Sequence, residues 1–118
     1  MGRWVRAAAQ ADVPPGEGRS LKVDDRWVAL FHDPVKGFLA IDDACPHEGT
    51  PLGDGAYHAG NVICGSHSWV FDVATGRCRS MPGVSVACYA TRPAGGDVEI
   101  ELPDGPPGRP PDAGEAQA

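Results

Sequence analysis

"CPHEGTPLGDGAYHAGNVICGSH", residues 45–67, holds two of the chain's four cysteines and two of its four histidines, in the order Cys, His, Cys, His. One residue separates Cys45 from His47, two separate Cys64 from His67, and sixteen lie between His47 and Cys64. Each short spacing lets both side chains of a loop converge on one small object. Pro46, Gly49, Gly53, Gly55 and Gly65 permit tight backbone paths there, and such loops bring peptide N–H groups close to a buried acceptor. Two kinds of centre use four such ligands. A single zinc accepts two thiolates and two imidazoles, but its common fingers take both thiolates from one short loop and both imidazoles from another. A [2Fe–2S] cluster with thiolates on one iron and imidazoles on the other takes one ligand per iron from each loop, which rationalises the alternating order. The spacing favours the cluster and leaves zinc open.

Outward from this stretch the chain reads as one small all-β domain. At 118 residues it is long enough for a modest core. No stretch shows helical periodicity. Short apolar or alternating runs lie between turn signals: 3–8, 20–23, 26–32, 38–41, 61–64, 69–73, 86–92 and 98–102 are the predicted strands. "SLKVDDRWVALF" predicts a hairpin with Asp24 and Asp25 at its tip, and "AYHAGN" reads as a turn. The domain spans residues 1–102. Residues 103–118 carry five prolines and no large apolar side chain, which predicts a disordered Pro/Gly-rich tail.

Ten Lys and Arg against 16 Asp and Glu leave a net charge of -6. That balance argues against nucleic acid, whose phosphates demand basic side chains, and is compatible with a basic protein partner. The longest strongly apolar run, "WVALF" at 27–31, is far short of a membrane span. Arg3 and Arg6 are not followed by the apolar stretch of a signal peptide. A soluble, cytoplasmic protein is expected, in which cysteines are ligands or buried thiols instead of disulfides.

The four-ligand pattern and its flanks, "CPHEGTPLGDG" and "CGSHSWVFDVATGRC", resemble the two cluster loops of the Rieske [2Fe–2S] proteins. The resemblance runs from about Trp4 to Leu102, with most of its specificity in 45–83. It implies a Rieske fold: an antiparallel β-sandwich base with a small cluster-binding subdomain, about residues 43–83. It further implies that Cys45 and Cys64 hold the inner iron and His47 and His67 the outer one. "MPG" (81–83) resembles the family's proline loop, Leu52 and Trp69 would be apolar shielding, and Asp72, Thr75 and Gly76 match a structural "FDxxTG" turn.

Departures from the family sort the chain within it. Thr50 and Ser66 stand where the quinol-oxidase Rieske proteins have a disulfide, and Trp69 and Phe71 where they place a serine and a tyrosine beside the cluster. Fewer hydrogen bonds to the cluster imply a potential at the low end of the Rieske range. Ser68 replaces a common glycine. No histidine follows His67, so the mononuclear iron site of the oxygenase large subunits is missing. The implied function is a soluble one-electron ferredoxin, not an enzyme by itself. It would pass electrons from a flavoprotein reductase to a terminal oxygenase of the ring-hydroxylating dioxygenase type, and act as a monomer. The small subunit of an NAD(P)H nitrite reductase, docking on its large subunit, is the runner-up. A zinc-stabilised binding module is the third reading.

Elsewhere, His32 and His58 read as ordinary surface histidines, Cys78 and Cys88 as small buried hydrophobes, and Trp4 and Trp27 as core or half-buried strand residues. Asp42, Asp43, Glu48 and Asp54 read as a solvated face, with an acidic docking collar as the sharper idea.

Overall fold

The computed structural model describes residues 2–24, 26–44, 51–64 and 69–103. Among the described residues ten strands form three antiparallel sheets: β1 (Gly2–Ala9), β2 (Gly18–Val23), β3 (Arg26–Asp33), β4 (Gly37–Asp42), β5 (Ala56–His58), β6 (Asn61–Ile63), β7 (Val70–Asp72), β8 (Cys88–Tyr89), β9 (Thr91–Ala94) and β10 (Asp97–Pro103). The sheet orders are β1-β10-β9, β2-β3-β4-β8 and β5-β6-β7.

The four-stranded sheet is the middle layer, and β3 explains why. In "VALF", Val28 and Leu30 enter one apolar cluster with Val98, Ile100 and Leu102 of β10. Ala29 and Phe31 enter a second with Val62 and Phe71 of the small sheet and with Cys64, which follows β6. A strand covered on both faces must be apolar at consecutive positions, which is the run the sequence shows. β4 does the same with Ala40 and Ile41.

The predicted β2–β3 hairpin is present. Val23 pairs with Arg26, Asp24 takes the positive φ of 56° that a two-residue turn demands, and its carboxylate binds Arg3. Differences from the expected strands have local causes. β5 falls within the segment expected to be only a turn: the turn is there, at Ala59 and Gly60, but Ala56 and His58 flank it as ladder partners of Ile63 and Asn61. The run 86–92 splits at Ala90, because β8 pairs with β4 and β9 with β10. β10 continues through Pro103, one residue into the predicted tail; residues 104–118 lie outside the described residues. β9 is an edge strand and carries Pro93.

Trp27 is 54% exposed, not core: it lies one row beyond the part of β3 that the small sheet covers. Trp4 is half-buried with the Arg92 guanidinium 4.2 Å from its ring centre. No helix among the described residues is long and apolar enough to cross a membrane.

Candidate metal centre

Cys45, His47, Glu48, Thr50, Ser66, His67 and Ser68 lie outside the described residues, so of the four predicted ligands only Cys64 is placed. What is placed is the scaffold from which both loops depart. Segment 45–50 leaves from Ala44 and returns at Pro51, and these two residues form an antiparallel bridge. The next rung is the Leu52 N–H donating to the Asp43 carbonyl at 2.6 Å. Segment 65–68 is closed by the Cys64 N–H donating to the Trp69 carbonyl at 2.7 Å, directly above the Ile63–Val70 pair. Both loops are therefore pinched at the neck.

The two necks share one wall. Leu52 and Cys64 belong to the same buried cluster. Gly55 packs so tightly on the strand leading to Cys64 that a Cβ there would lie 2.3 Å from the Ile63 carbonyl oxygen. Cys64 itself is 1% exposed and its thiol is free. A buried, unbridged thiol at the mouth of a loop suits a thiolate ligand, because a soft cation offsets the cost of burying its charge. Leu52 is fully buried and Trp69 packs on the edge of the cluster, as apolar shielding requires.

Behind the second loop, the Asp72 carbonyl accepts the Gly76 N–H at 2.7 Å and its Oδ1 the Ala74 N–H at 2.9 Å. This is the structural turn expected of Asp72, Thr75 and Gly76. Met81–Val84 form a turn in which Val84 N–H donates to the Met81 carbonyl, with Pro82 second and Gly83 third at φ 83°, the conformation only glycine adopts freely. Arg79 links β6 to the Asp72 turn: Nε donates to Asn61 Oδ1 at 2.6 Å and Nη2 to Asp72 Oδ2 at 3.1 Å.

Asp42 and Asp43 are not a solvated collar. They are 7% and 5% exposed, and only Asp54 of the described acidic residues there is exposed. Asp42 Oδ1 accepts the Tyr89 hydroxyl at 2.5 Å; burial pushes the Asp42 carboxyl up, opposed by that bond and by Arg26. Asp43 Oδ1 accepts both the Ser20 hydroxyl and the Gly53 N–H at 2.8 Å. Gly53 fits because it lacks a Cβ, which would lie 2.5 Å from the Ser20 nitrogen. Sequence reading missed this bracket: charge suggested exposure, and no local pattern links Ser20 to a carboxylate 23 residues away.

A third buried carboxylate, that of Asp33, joins the small sheet to the base. Asp33 accepts the Tyr57 hydroxyl at 2.5 Å and the Val35 and Lys36 N–H groups at 2.8 Å, which hold its carboxyl at about 2. Burial, then this bond, pushes the Tyr57 phenol up, and its ring stacks on Phe31 at 5.2 Å.

His58 is exposed as expected, whereas His32 is half-buried, stacked on Phe38 at 4.2 Å with Nδ1 2.8 Å from the Val13 carbonyl. Cys78 is a small buried thiol, but Cys88 is exposed, on the face of β8 opposite the buried Tyr89. Both are free.

Residues 3–90 match the family model of the Rieske [2Fe–2S] domain. The chain belongs to the Rieske family. Membership brings with it one [2Fe–2S] cluster, and the buried free thiol of Cys64 fits such a group. The chain is 35% identical over 102 residues to the biphenyl dioxygenase ferredoxin subunit of Pseudomonas sp. strain KKS102, covering 84% of this chain and 92% of that one. Among solved structures it is similar to the ferredoxin of carbazole 1,9a-dioxygenase from Nocardioides aromaticivorans, with TM-score 0.75 and 29% identity over 82% of this chain and 95% of that one. It is also similar to a Mycobacterium tuberculosis protein described as an NADH-dependent nitrite reductase small subunit, with TM-score 0.79 and 25% identity over 88% and 98%. Against the larger 4beta-methylsterol monooxygenase of Methylococcus capsulatus, 32% identical over 75 residues, the Rieske chain spans 20% of the length.

Proposed function

We propose that this Rieske protein is a one-electron carrier whose cluster is held by Cys45 and Cys64 on one iron and His47 and His67 on the other. It receives electrons from a flavoprotein reductase and delivers them to a terminal oxygenase of the ring-hydroxylating type. The domain runs through Pro103, the last residue of β10, with 43–83 forming the cluster-binding part and the residues after it a tail; it works in the cytoplasm as a monomer. The observation that carries this reading is the buried free thiol of Cys64, set at the neck of one pinched loop whose root shares a core with the root of the other.

When bound, the cluster supplies a reversible one-electron couple, at a potential above that of all-cysteine ferredoxins because two ligands are neutral imidazoles. The chain's own residues do the rest. Cys64 is oriented by its N–H bond to Trp69, and Leu52, Phe71 and Trp69 exclude water. Neither Phe71 nor Trp69 offers a hydroxyl to the cluster, which supports a potential at the low end of the Rieske range.

A ferredoxin subunit similar over nearly its whole length supports the dioxygenase reading. The nitrite reductase small subunit is the second reading, favoured by the likeness to the mycobacterial protein. Iron and acid-labile sulfide assays on anaerobically purified protein test the cluster, and two of each per chain are expected. A colourless protein containing zinc would overturn the proposal. Turnover with a flavoprotein reductase and a separate oxygenase is expected; stable copurification with a sirohaem-containing large subunit would replace this reading with the second.

A further inference from the structure

Asp43 touches every part of the scaffold below the first loop. Its N–H donates to the Trp27 carbonyl on β3 at 3.3 Å, and its carbonyl accepts the Leu52 N–H from the far side of the loop at 2.6 Å. Its carboxylate accepts Ser20 on β2 and Gly53 beyond the loop, both at 2.8 Å. It stands two residues before Cys45 and is 5% exposed. Both of these donors to its carboxylate, a hydroxyl and a peptide N–H, are neutral groups.

We propose that Asp43 is a positioning residue for the first metal-binding loop and that its buried charge holds the reduction potential of the centre down. The proposal rests on the reading that Cys45 and His47 are ligands. Two effects follow from one side chain. As a bracket, Asp43 ties the loop's departing and returning strands to each other and to β2, so that Cys45 and His47 leave from a fixed root. As a buried anion, it disfavours an electron added nearby, because a low-dielectric surround screens the repulsion poorly. Groups just outside the ligand set tune metal centres in this way.

The two effects are separable by substitution. Asp43→Asn keeps an oxygen to accept both donors and removes the charge. Ser20→Ala keeps the charge and removes one of the donors that partly offset it. A purely structural role moves the potential in neither case or in the same direction in both; a charge effect moves it in opposite directions. Asp54→Asn, on the exposed end of the same 3-10 turn (Leu52–Asp54), is the surface control.

The test is a potentiometric titration of the full anaerobically purified chain, with iron and sulfide measured on every sample. Asp43→Asn is expected to load with iron and to favour reduction about tenfold, equivalent to about 59 mV for one electron. Ser20→Ala is expected to shift the other way by a smaller amount, and Asp54→Asn to shift less than a third as far as Asp43→Asn. An iron-loaded Asp43→Asn that moves no further than Asp54→Asn overturns the proposal. So does Ser20→Ala moving in the same direction as Asp43→Asn or, where Asp43→Asn does not load with iron, Ser20→Ala failing to lower the potential. Wild-type protein without iron and sulfide would instead remove the metal centre itself, and is told apart by the assay on the parent chain.

Discussion

Tyr89→Phe isolates one buried hydrogen bond. The ring of Tyr89 fills part of the core between the middle sheet and β10, and the substitution leaves it in place. What goes is the hydroxyl that donates to Asp42 Oδ1 at 2.5 Å and receives a long 3.4 Å contact from Arg26 Nη1. A hydrogen bond to a charged group is worth roughly 1.5–3 kcal/mol. Arg26 still faces the carboxylate, so the loss falls in the lower half, about 2 kcal/mol. For a domain of this size that is a fall in Tm of about 10 °C, at about 4–8 °C per kcal/mol. The sign with pH follows from the raised Asp42 carboxyl. A group raised on folding contributes stability that is full below its unfolded value of 3.8 and is lost as pH rises through the folded value. Removing the Tyr89 donor raises Asp42 further, so the deficit of the variant is largest at neutral pH. Near pH 4 it shrinks toward the roughly 1 kcal/mol of a neutral bond. Guanidinium unfolding of iron-matched samples, followed by circular dichroism at several pH values, measures this. An equal deficit at about pH 4 and pH 7.5, or none at pH 7.5, would refute the reasoning.

Three further outcomes are expected. Tyr57→Phe lowers stability at neutral pH. Because Asp33 is held at about 2, the stability it contributes is present above 3.8 and lost as pH falls through about 2, so urea curves of variant and parent should converge over that window. Gly53→Ala drives a Cβ to within 2.5–2.6 Å of the β2 backbone at Ser20 and Arg19; the turn must shift, and iron loss to a chelator should be several-fold faster than in the parent. At high pH, burial keeps the Tyr57 and Tyr89 phenols protonated beyond their ordinary value of 10, so stability declines as pH rises above it. The Tyr57→Phe/Tyr89→Phe double variant should show a flatter alkaline limb in the same unfolding assay.

Most of the architecture was legible because β structure writes itself into alternation and turns. The run at 26–32 announced a strand, and Asp24 and Asp25 the hairpin tip before it; that the strand is covered on both faces came only with the structure. β5 escaped because three residues are too few for a period of two to register. The split at Ala90 escaped because an apolar run does not say which sheet will accept it. The role proposed for Cys64 rests on its spacing to His67, a pattern within one loop, whereas the bracket around Asp43 depends on contacts between distant segments. The burial assignments failed in both directions, with Asp42 and Asp43 buried and Trp27 and Cys88 exposed, because residue type does not encode which face another segment covers.

The middle sheet has a consequence for how the molecule comes apart. If the small sheet lifted away, Phe31 and Ile41 would be bared to water, at a penalty of roughly 1.5–3 kcal/mol each. Lifting β10 instead would strip the opposite face, Val28 and Leu30. The amides of β3 are thus the slowest to trade protons for deuterons, and partial opening on either side is suppressed by the same ribbon of chain.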